Sequence, residues 1–272
     1  MSRRSLILLF LFLASVVLSS AQSKQANSDA SLAAIRSQDR LARNSKGVIT
    51  RLTPEEHLRR ASIYHANRAF DEAREHWQAL INYYPDDPKV AAALLGLGRS
   101  YFQERRYSDA YNFYNRLARN YPSTKEGREG LNFSAAALLR LGRPSEAADR
   151  YIEYINRFPE GERIETAHLN AIDTLREAAR LPEASSWIAK TRQRFAGTAT
   201  ETNALFAQLR LEISESNWRR AIASADELSR KSFSKAVATS PAEVAYLKGY
   251  SLERAGKDDE AFAAYQSVQG GI

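Results

Sequence analysis

The fold is decided by the stretch at residues 98–122, GRSYFQERRYSDAYNFYNRLARNYP. A small residue, Gly98, stands twelve positions before Ala110, and Pro122 stands twelve positions after it. Small residues allow two helices to cross closely, and proline ends a helix because it has no backbone N–H to continue the hydrogen-bond ladder. The stretch therefore predicts a helical hairpin with its tightest contact at Gly98 and Ala110.

The same pattern recurs along most of the chain. Alanines stand 37 positions apart, with a last interval of 40, at Ala73, Ala110, Ala147, Ala184, Ala221 and Ala261. Twelve positions before them stand Ala61, Gly98, Ala135, Ile172, Leu209 and Gly249, and twelve positions after the first three stand Pro85, Pro122 and Pro159. Self-similarity at such a period is typical of stacked helical hairpins. Six hairpins are predicted, and the array is expected to function through the surface that it presents.

The helix boundaries follow from this register and from capping residues. First helices are expected at residues 54–67, 88–104, 125–141, 162–179, 199–215 and 241–255. Second helices are expected at residues 70–84, 107–121, 144–158, 182–195, 218–231 and 258–269. Thr53-Pro54-Glu55-Glu56 forms a capping box in which Glu56 can reach back to the cap, and the same device is expected at residues 123–126 and 240–243.

The repeat resembles the tetratricopeptide repeat. Two sets of residues match the pattern of that family: Gly98, Tyr101, Ala110, Tyr114 and Pro122, and Ala61, Tyr64, Ala73, Trp77 and Pro85. The usual period is about 34 residues, so the longer period here is similar to that of bacterial envelope members. The resemblance implies an all-α, right-handed superhelix of about six hairpins, with the first helices lining a concave face.

Two hairpins depart from the pattern. Ile172 and Leu209 replace the small residue of the fourth and fifth hairpins, which are therefore expected to splay more than the others. A large residue, as in Trp77, stands four positions after most of the key alanines and is expected in the core. Ala225 takes this position in the fifth hairpin, which is expected to be thinner.

The resemblance also implies a ligand-binding groove. In the family, ligand contacts come chiefly from the fifth, ninth and twelfth positions of the repeat. These positions are occupied here by Arg99, Phe102, Asn132, Asp173, Arg176, Phe206, Arg210, Tyr246, Tyr250 and Glu253. Arginines beside exposed aromatic rings suit acidic peptides or sugars, because a guanidinium holds carboxylates and ring faces stack on apolar surfaces.

The N-terminus has the order of a secretory signal peptide. Arg3 and Arg4 precede an apolar run that ends at Leu18, and small residues follow up to Ala21. The run is too short to span a bilayer, which takes about 20 residues. We therefore expect residues 1–21 to be cleaved on export to the periplasm, with no membrane insertion afterwards. The chain has no cysteine, so neither a disulfide nor a lipid-modified cysteine is expected.

The rest of the chain divides into two further regions. Residues 22–52 are polar and are expected to form a tether with one short helix near residues 31–42. Residues 53–272 form the repeat array, which is expected to be incomplete at its C-terminus because no polar capping helix follows the last hairpin. Removal of the signal peptide lowers the net charge from +7 to +5, which favours anionic partners. The basic residues are spread over every repeat, so no nucleic-acid partner is expected.

The sequence carries little catalytic chemistry. No two of His57, His65, His76 and His168 have the spacing of a helical metal site, and neither a phosphate-binding loop nor a nucleophile motif is present, so no catalytic residue, metal or cofactor is expected. Glu215-Ser216 resembles the catalytic pair of lytic transglycosylases, but it falls in a predicted turn and is not followed by that family's Gly-Leu-Met-Gln. The last hairpin, residues 246–268, is nevertheless similar to the hairpins that precede that family's catalytic domain.

Two functions remain open from these observations. The first is a non-catalytic periplasmic scaffold that binds a protein or peptidoglycan partner on its concave face. The second is the superhelical N-terminal segment of a soluble lytic transglycosylase whose catalytic domain is missing from this chain. The sequence does not decide the oligomeric state.

Overall fold

The computed structural model describes residues 30–269, and every regular element in that range is an α-helix. The first helix, α1, covers residues 30–41. It is followed by α2 (Pro54–Ala66), α3 (Phe70–Tyr83), α4 (Val90–Gln103), α5 (Tyr107–Asn120), α6 (Lys125–Arg140), α7 (Pro144–Arg157), α8 (Ile164–Glu177), α9 (Leu181–Arg194), α10 (Ala199–Ser214), α11 (Trp218–Leu228), α12 (Pro241–Arg254) and α13 (Asp258–Gln269). The predicted signal peptide lies outside the described residues.

The predicted all-α array of helical hairpins is confirmed. Each predicted pair of helices is present, from α2 and α3 in the first hairpin to α12 and α13 in the sixth. The largest difference at a helix end is in α11, which stops at Leu228 instead of residue 231. The helices fall into two compact units, divided within α6 between Gly127 and Arg128. The first two hairpins lie in the first unit, and the last three lie in the second.

The repeat register predicted from the alanines is correct. Five of the key alanines are completely buried, and Ala261 is 3% exposed. A Cβ atom at Gly98 would lie 2.4 Å from Cε1 of Tyr114, and one at Gly249 would lie 2.6 Å from Cε1 of Tyr265. In both hairpins the glycine is therefore needed because the aromatic ring, four positions after the key alanine, packs directly against the backbone of the first helix.

The fourth and fifth hairpins fill the same contact differently. Ile172 and Ile188 lie in one core cluster, and Leu209 and Ala225 lie in another. In the fifth hairpin the large residue is thus on the first helix and the small one on the second, the reverse of Gly98 and Tyr114. The predicted thinning at Ala225 is offset by Leu209, because the side-chain volume has moved to the opposite helix.

The turn inside each hairpin contains one residue in the left-handed conformation. It stands five positions before the key alanine, at Arg68, Arg105, Gly142, Ala179, Ser216 and Gly256, with φ between 56° and 74°. Glycine adopts this conformation freely, whereas a residue with a Cβ atom is strained in it by roughly 1–2 kcal/mol. Four of the six turns therefore carry a conformational cost.

Replacing Ala179 with glycine is expected to stabilise the protein. Ala179 is exposed, so the substitution removes little packing while relieving the left-handed strain. We expect the free energy of unfolding to rise by about 0.5–1 kcal/mol in urea denaturation, since the greater freedom of glycine in the unfolded chain offsets part of the gain. The matched control is Gly142→Ala at the same register, which should destabilise; equal shifts of the same sign would contradict this account.

Capping side chains begin several first helices. Thr53 accepts a hydrogen bond from the Glu56 N–H at 3.2 Å, and Ser240 accepts one from the Glu243 N–H at 3.1 Å, as predicted. Two details differ from the prediction. The cap of α6 is Thr124 and not the residue before it, because Thr124 accepts from the Gly127 N–H at 3.0 Å. The Glu56 carboxylate binds Arg59 and Arg60 instead of reaching back to the cap.

The polar segment before the array is packed over its described part, in contrast to the predicted tether. Helix α1 lies where the short helix was expected, but Ile35 and Asp39 on it are buried, as is Ile49 in the loop that follows. An isolated antiparallel bridge between Arg43 and Ile49 closes this loop. The segment packs because Ile35 and Ile49 are buried and because the buried Asp39 finds partners on the first hairpin.

None of the helices in residues 30–269 is both long enough and apolar enough to cross a membrane.

Candidate functional site

Two arginines on neighbouring first helices form the best candidate for a binding site. Arg176 lies on α8 and Arg210 on α10, two helices that pack against each other in the second unit. Burial and the positive charge of Arg210 lower the pKa of the Arg176 guanidinium. We call Arg176 and Arg210 the arginine pair. Two like charges held together in this way favour the binding of an anion.

The counter-charge at the arginine pair is weak. The Asp173 carboxylate lies 3.4 Å from a terminal nitrogen of Arg176, at the long end of an ion pair, and its side chain is 65% exposed. The contact is long and the Asp173 carboxylate is mostly in water, so the pair contributes little free energy, typically below about 1 kcal/mol. An incoming carboxylate can therefore compete for Arg176 without breaking a strong internal contact.

Phe206 lies beneath Arg210 and is not the exposed groove residue that the sequence predicted. It is buried in the core cluster with Leu205 and Leu209, and the Arg210 guanidinium lies 5.8 Å from the centre of its ring. The ring is buried because α10 packs against α8, α9 and α11 and has little free surface. Its role at the site is to support Arg210 from below by a cation–π contact.

Asn132 is also in the interior. It lies on the part of α6 that belongs to the second unit, is 5% exposed, and its Oδ1 accepts no hydrogen bond within the described residues. A side chain this buried is not available to a ligand unless it moves. The expectation that Asn132 lines an open groove is therefore wrong in this structure.

The predicted aromatic residues of the last hairpin are on α12. Tyr246 is 54% exposed and packs against Tyr265, with the ring centres 5.8 Å apart. Tyr250 is half-buried and meets the edge of Trp218 on α11. Glu253 accepts a hydrogen bond from the Tyr265 hydroxyl at 2.8 Å. Of the two tyrosines, Tyr246 presents more surface to a partner.

Arg99 and Phe102 belong to the first unit. Both are half-buried on α4, and Phe102 meets the ring of Tyr107 on α5 edge-on at 5.2 Å. Phe102 therefore helps to close its own hairpin. Of the predicted site residues, the structure brings together Asp173, Arg176, Phe206 and Arg210.

The Glu215-Ser216 pair lies in the turn between α10 and α11, as predicted. Glu215 is the C-cap residue just after α10 and is exposed, and Ser216 is the left-handed residue of that turn. A general acid for glycoside cleavage needs a protected carboxyl group facing a second carboxylate across the substrate. An exposed turn residue does not provide that environment.

Two polar groupings were missed by the sequence interpretation. One lines a cavity of about 570 Å³ between α9, α10 and α11, where the buried Glu212 accepts hydrogen bonds from Ser224 at 2.6 Å and Gln208 at 3.0 Å. The other joins Asp39, His57 and His76 in the first unit. Neither has a local sequence signal, because its members come from different helices. No group of three or more acidic, histidine or cysteine side chains within residues 30–269 has the arrangement of a metal site.

Comparison with known proteins identifies the repeat and the fold. A family model described as tetratricopeptide repeat matches residues 58–123 and 206–271. The chain is similar to a tetratricopeptide repeat protein from Parabacteroides merdae, with 16% identity, a TM-score of 0.58, and coverage of 80% of this chain and 79% of that one. The comparison with curated proteins found no match.

Two further solved structures are similar to this chain. PilW, a type IV pilus biogenesis factor, is 15% identical, with a TM-score of 0.53 and coverage of 82% of this chain and 94% of that one. PilF from Pseudomonas aeruginosa is 14% identical, with a TM-score of 0.51 and coverage of 80% and 97%. At these identities the likeness shows the fold alone. The comparisons do not show the resemblance to lytic transglycosylases.

Proposed function

Because the chain belongs to the tetratricopeptide-repeat family, we propose that it is a non-catalytic scaffold that binds an acidic segment of a protein partner at the arginine pair. The family match and the fold support protein binding as the general function. The single observation that carries the finer proposal is the placement of Arg176 and Arg210 on packed helices, where the weakly held Asp173 is the counter-charge of Arg176.

The chemistry of the site favours a carboxylate over other ligands. A guanidinium holds a carboxylate through two parallel hydrogen bonds, and two adjacent guanidiniums can bind two carboxylates or share one. Partial burial of Arg176 strengthens such a contact because the charges are less screened by water. Glutamate- or aspartate-rich segments offer several carboxylates at short spacing, so they fit better than a neutral peptide.

The site is tested with a glutamate-rich peptide as the probe. Changing Arg176 and Arg210 together to glutamate is expected to weaken its binding by at least tenfold, since both attractive charges become repulsive. Affinity for the unchanged protein should fall as salt rises, because charges on the surface are screened over about 8–10 Å. A glutamine-rich peptide of the same length should bind poorly to both proteins. Fluorescence anisotropy measures all three effects.

The matched control changes Arg219 and Arg230 to glutamate. Both are exposed in the second unit, on and just after α11, so this double variant alters the net charge by the same amount. If both double variants lose the peptide equally, the attraction is bulk charge and the proposed site is wrong. Soluble peptidoglycan fragments, which also carry carboxylates, serve as a second probe. Tighter binding of these fragments than of the peptide, lost in the Arg176 and Arg210 variant, would move the proposal from a protein partner to the cell wall.

We place this scaffold in the periplasm on the strength of the signal-peptide pattern at residues 1–21. The protein recovered from cells should then begin at or near Gln22. N-terminal sequencing that finds Met1 in the exported fraction, or recovery of the protein in the cytoplasm alone, would contradict this placement.

A further inference from the structure

A chain of hydrogen bonds holds α1 on the first hairpin. The Asp39 carboxylate on α1 accepts from the Tyr64 hydroxyl on α2 at 2.5 Å and contacts Nε2 of His76 on α3 at 2.9 Å. Nδ1 of His76 lies 3.1 Å from Nδ1 of His57 on α2. Nε2 of His57 in turn accepts from the Leu52 N–H at 3.3 Å. Asp39 is 3% exposed and both histidines are completely buried.

The partners at the two ends fix the protons along this chain. The Leu52 N–H is a donor, so Nε2 of His57 must be an acceptor and its proton must be on Nδ1. His57 then donates to Nδ1 of His76, which leaves the proton of His76 on Nε2, directed at the Asp39 carboxylate. Every contact has one donor and one acceptor only while both histidines are neutral.

One additional proton on either histidine breaks the chain of hydrogen bonds. On His76 it would occupy Nδ1, and two N–H groups would face each other at the 3.1 Å contact with His57. On His57 it would occupy Nε2 and face the Leu52 N–H. Both imidazoles are completely buried and His76 lies against Asp39 of α1, so water cannot solvate the added charge while α1 stays in place.

The groups around the chain come from all three helices. On α1 and its following loop, Arg36 pairs with Glu72 at 2.9 Å, and Arg43 pairs with Glu75 at 2.6 Å. On α2, Arg60 pairs with Asp39 and also with Glu56, which in turn holds Arg59. On α3, Glu72 and Glu75 belong to the first two pairs, and the Tyr83 ring stacks on His57. Among the described residues, the charged partner in direct contact with the two histidines is Asp39.

We propose that α1 is a pH-sensitive latch, which is closed on the first hairpin while His57 and His76 are neutral and opens when either one takes up a proton. Opening uncovers the face of the first hairpin formed by His57, Tyr64 and His76. The latch is separate from the arginine pair, which lies in the second unit, and does not depend on the proposed function.

The shifts in pKa agree with this geometry. Burial, followed by the charges of His76 and Arg60, lowers the pKa of His57 to about 4. Burial also lowers the pKa of His76, and it outweighs the hydrogen bond and the charge of Asp39, which act in the opposite direction. Burial alone would raise the pKa of Asp39, but hydrogen bonds from Tyr64, His76 and Arg60 outweigh it and hold that pKa below its usual value. A histidine with a depressed pKa stabilises the closed state fully above about pH 6.5, and this stability is lost as the pH falls towards 4.

Hydrogen exchange on the purified protein tests the latch. The exchange rate of each α1 amide, divided by its intrinsic rate at the same pH, reports the ratio of open to closed latch. For His57 alone, a fall in pKa from 6.5 to about 4 predicts that this ratio rises ~30-fold between pH 7.5 and pH 5. The amides of α5 should change far less, because neither α4 nor α5, the two helices of the second hairpin, contains a histidine. An equal rise in α5 would mean general acid unfolding and would overturn the proposal.

The double variant His57→Asn with His76→Gln separates titration from simple packing. Each amide side chain keeps one donor and one acceptor but cannot gain a proton. Its α1 amides are expected to change less than threefold over the same pH range. His65→Gln is the control, because His65 faces Phe70 and Trp77. An unchanged pH response in the double variant would show that the histidines are not the sensor.

A measurement on the unchanged protein is independent of any variant. The chain has four histidines, so their imidazole nitrogens can be assigned by NMR. We expect His57 to carry its proton on Nδ1 and His76 on Nε2, both neutral at pH 6. The opposite tautomers, or ordinary titration near pH 6.5 with α1 still protected from exchange, would contradict the latch even if the double variant does not fold.

Discussion

Asp39→Ala is expected to lower the free energy of unfolding of the first unit by about 3–5 kcal/mol, the usual cost of removing one partner from a buried ion pair. Asp39 lies on a helix at the N-terminal end of the described residues, a position where substitutions are often tolerated. It nevertheless accepts hydrogen bonds from Arg60, Tyr64 and His76, which come from both helices of the first hairpin. Alanine would leave a buried guanidinium, a buried hydroxyl and a buried imidazole N–H without an acceptor.

The loss is limited by the free energy with which α1 docks, because the variant can release α1 and let water reach the three donors. Urea unfolding followed by circular dichroism measures the loss of stability, and hydrogen exchange of α1 shows whether release has occurred. Asp39→Asn should cost less, since an amide oxygen still accepts one of the bonds. Arg40→Ala, at an exposed neighbouring position on α1, should cost little. A loss below 1 kcal/mol for Asp39→Ala would show that α1 contributes nothing to the first unit.

The hairpins could be predicted from sequence because their signals are local. The small residue, the alanine and the proline of the second repeat lie within 25 residues, and the register of the key alanine recurs in every hairpin. Gly98 and Tyr114 meet as that spacing requires. Capping residues gave the helix starts for the same reason, with an error of one residue at Thr124.

The docking of α1 and the depth of the site residues could not be predicted in this way. The partners of Asp39 are 21, 25 and 37 positions away and come from two other helices, so no period in the sequence connects them. Phe206 and Arg210 are one turn apart on α10, and both occupy positions of the repeat that contact ligands in the family. From those positions alone, both residues are expected in the groove. Only the packing of α8, α9 and α11 around α10 shows that the ring is buried and the guanidinium is not.

The repeat register leads to a second large effect. Gly98→Leu is expected to lower the free energy of unfolding by about 3 kcal/mol, the upper part of the range for overpacking a core. The first atom of the new side chain would lie 2.4 Å from the Tyr114 ring, and that ring is 2% exposed, so it has no open space to move into. Gly98→Ala should already show part of this loss, because the clash begins at Cβ. Thermal and urea unfolding measure both.

The fifth hairpin shows how the loss can be repaired. There Leu209 occupies the position of Gly98, and Ala225 occupies the position of Tyr114, in one buried cluster. Tyr114→Ala alone should cost about 3–5 kcal/mol through the cavity it leaves. The double variant Gly98→Leu with Tyr114→Ala recreates the arrangement of the fifth hairpin, so its loss should be smaller than the sum of the two single losses by at least about 1 kcal/mol. Additive losses would mean that the two positions do not pack together and that the repeat register is wrong.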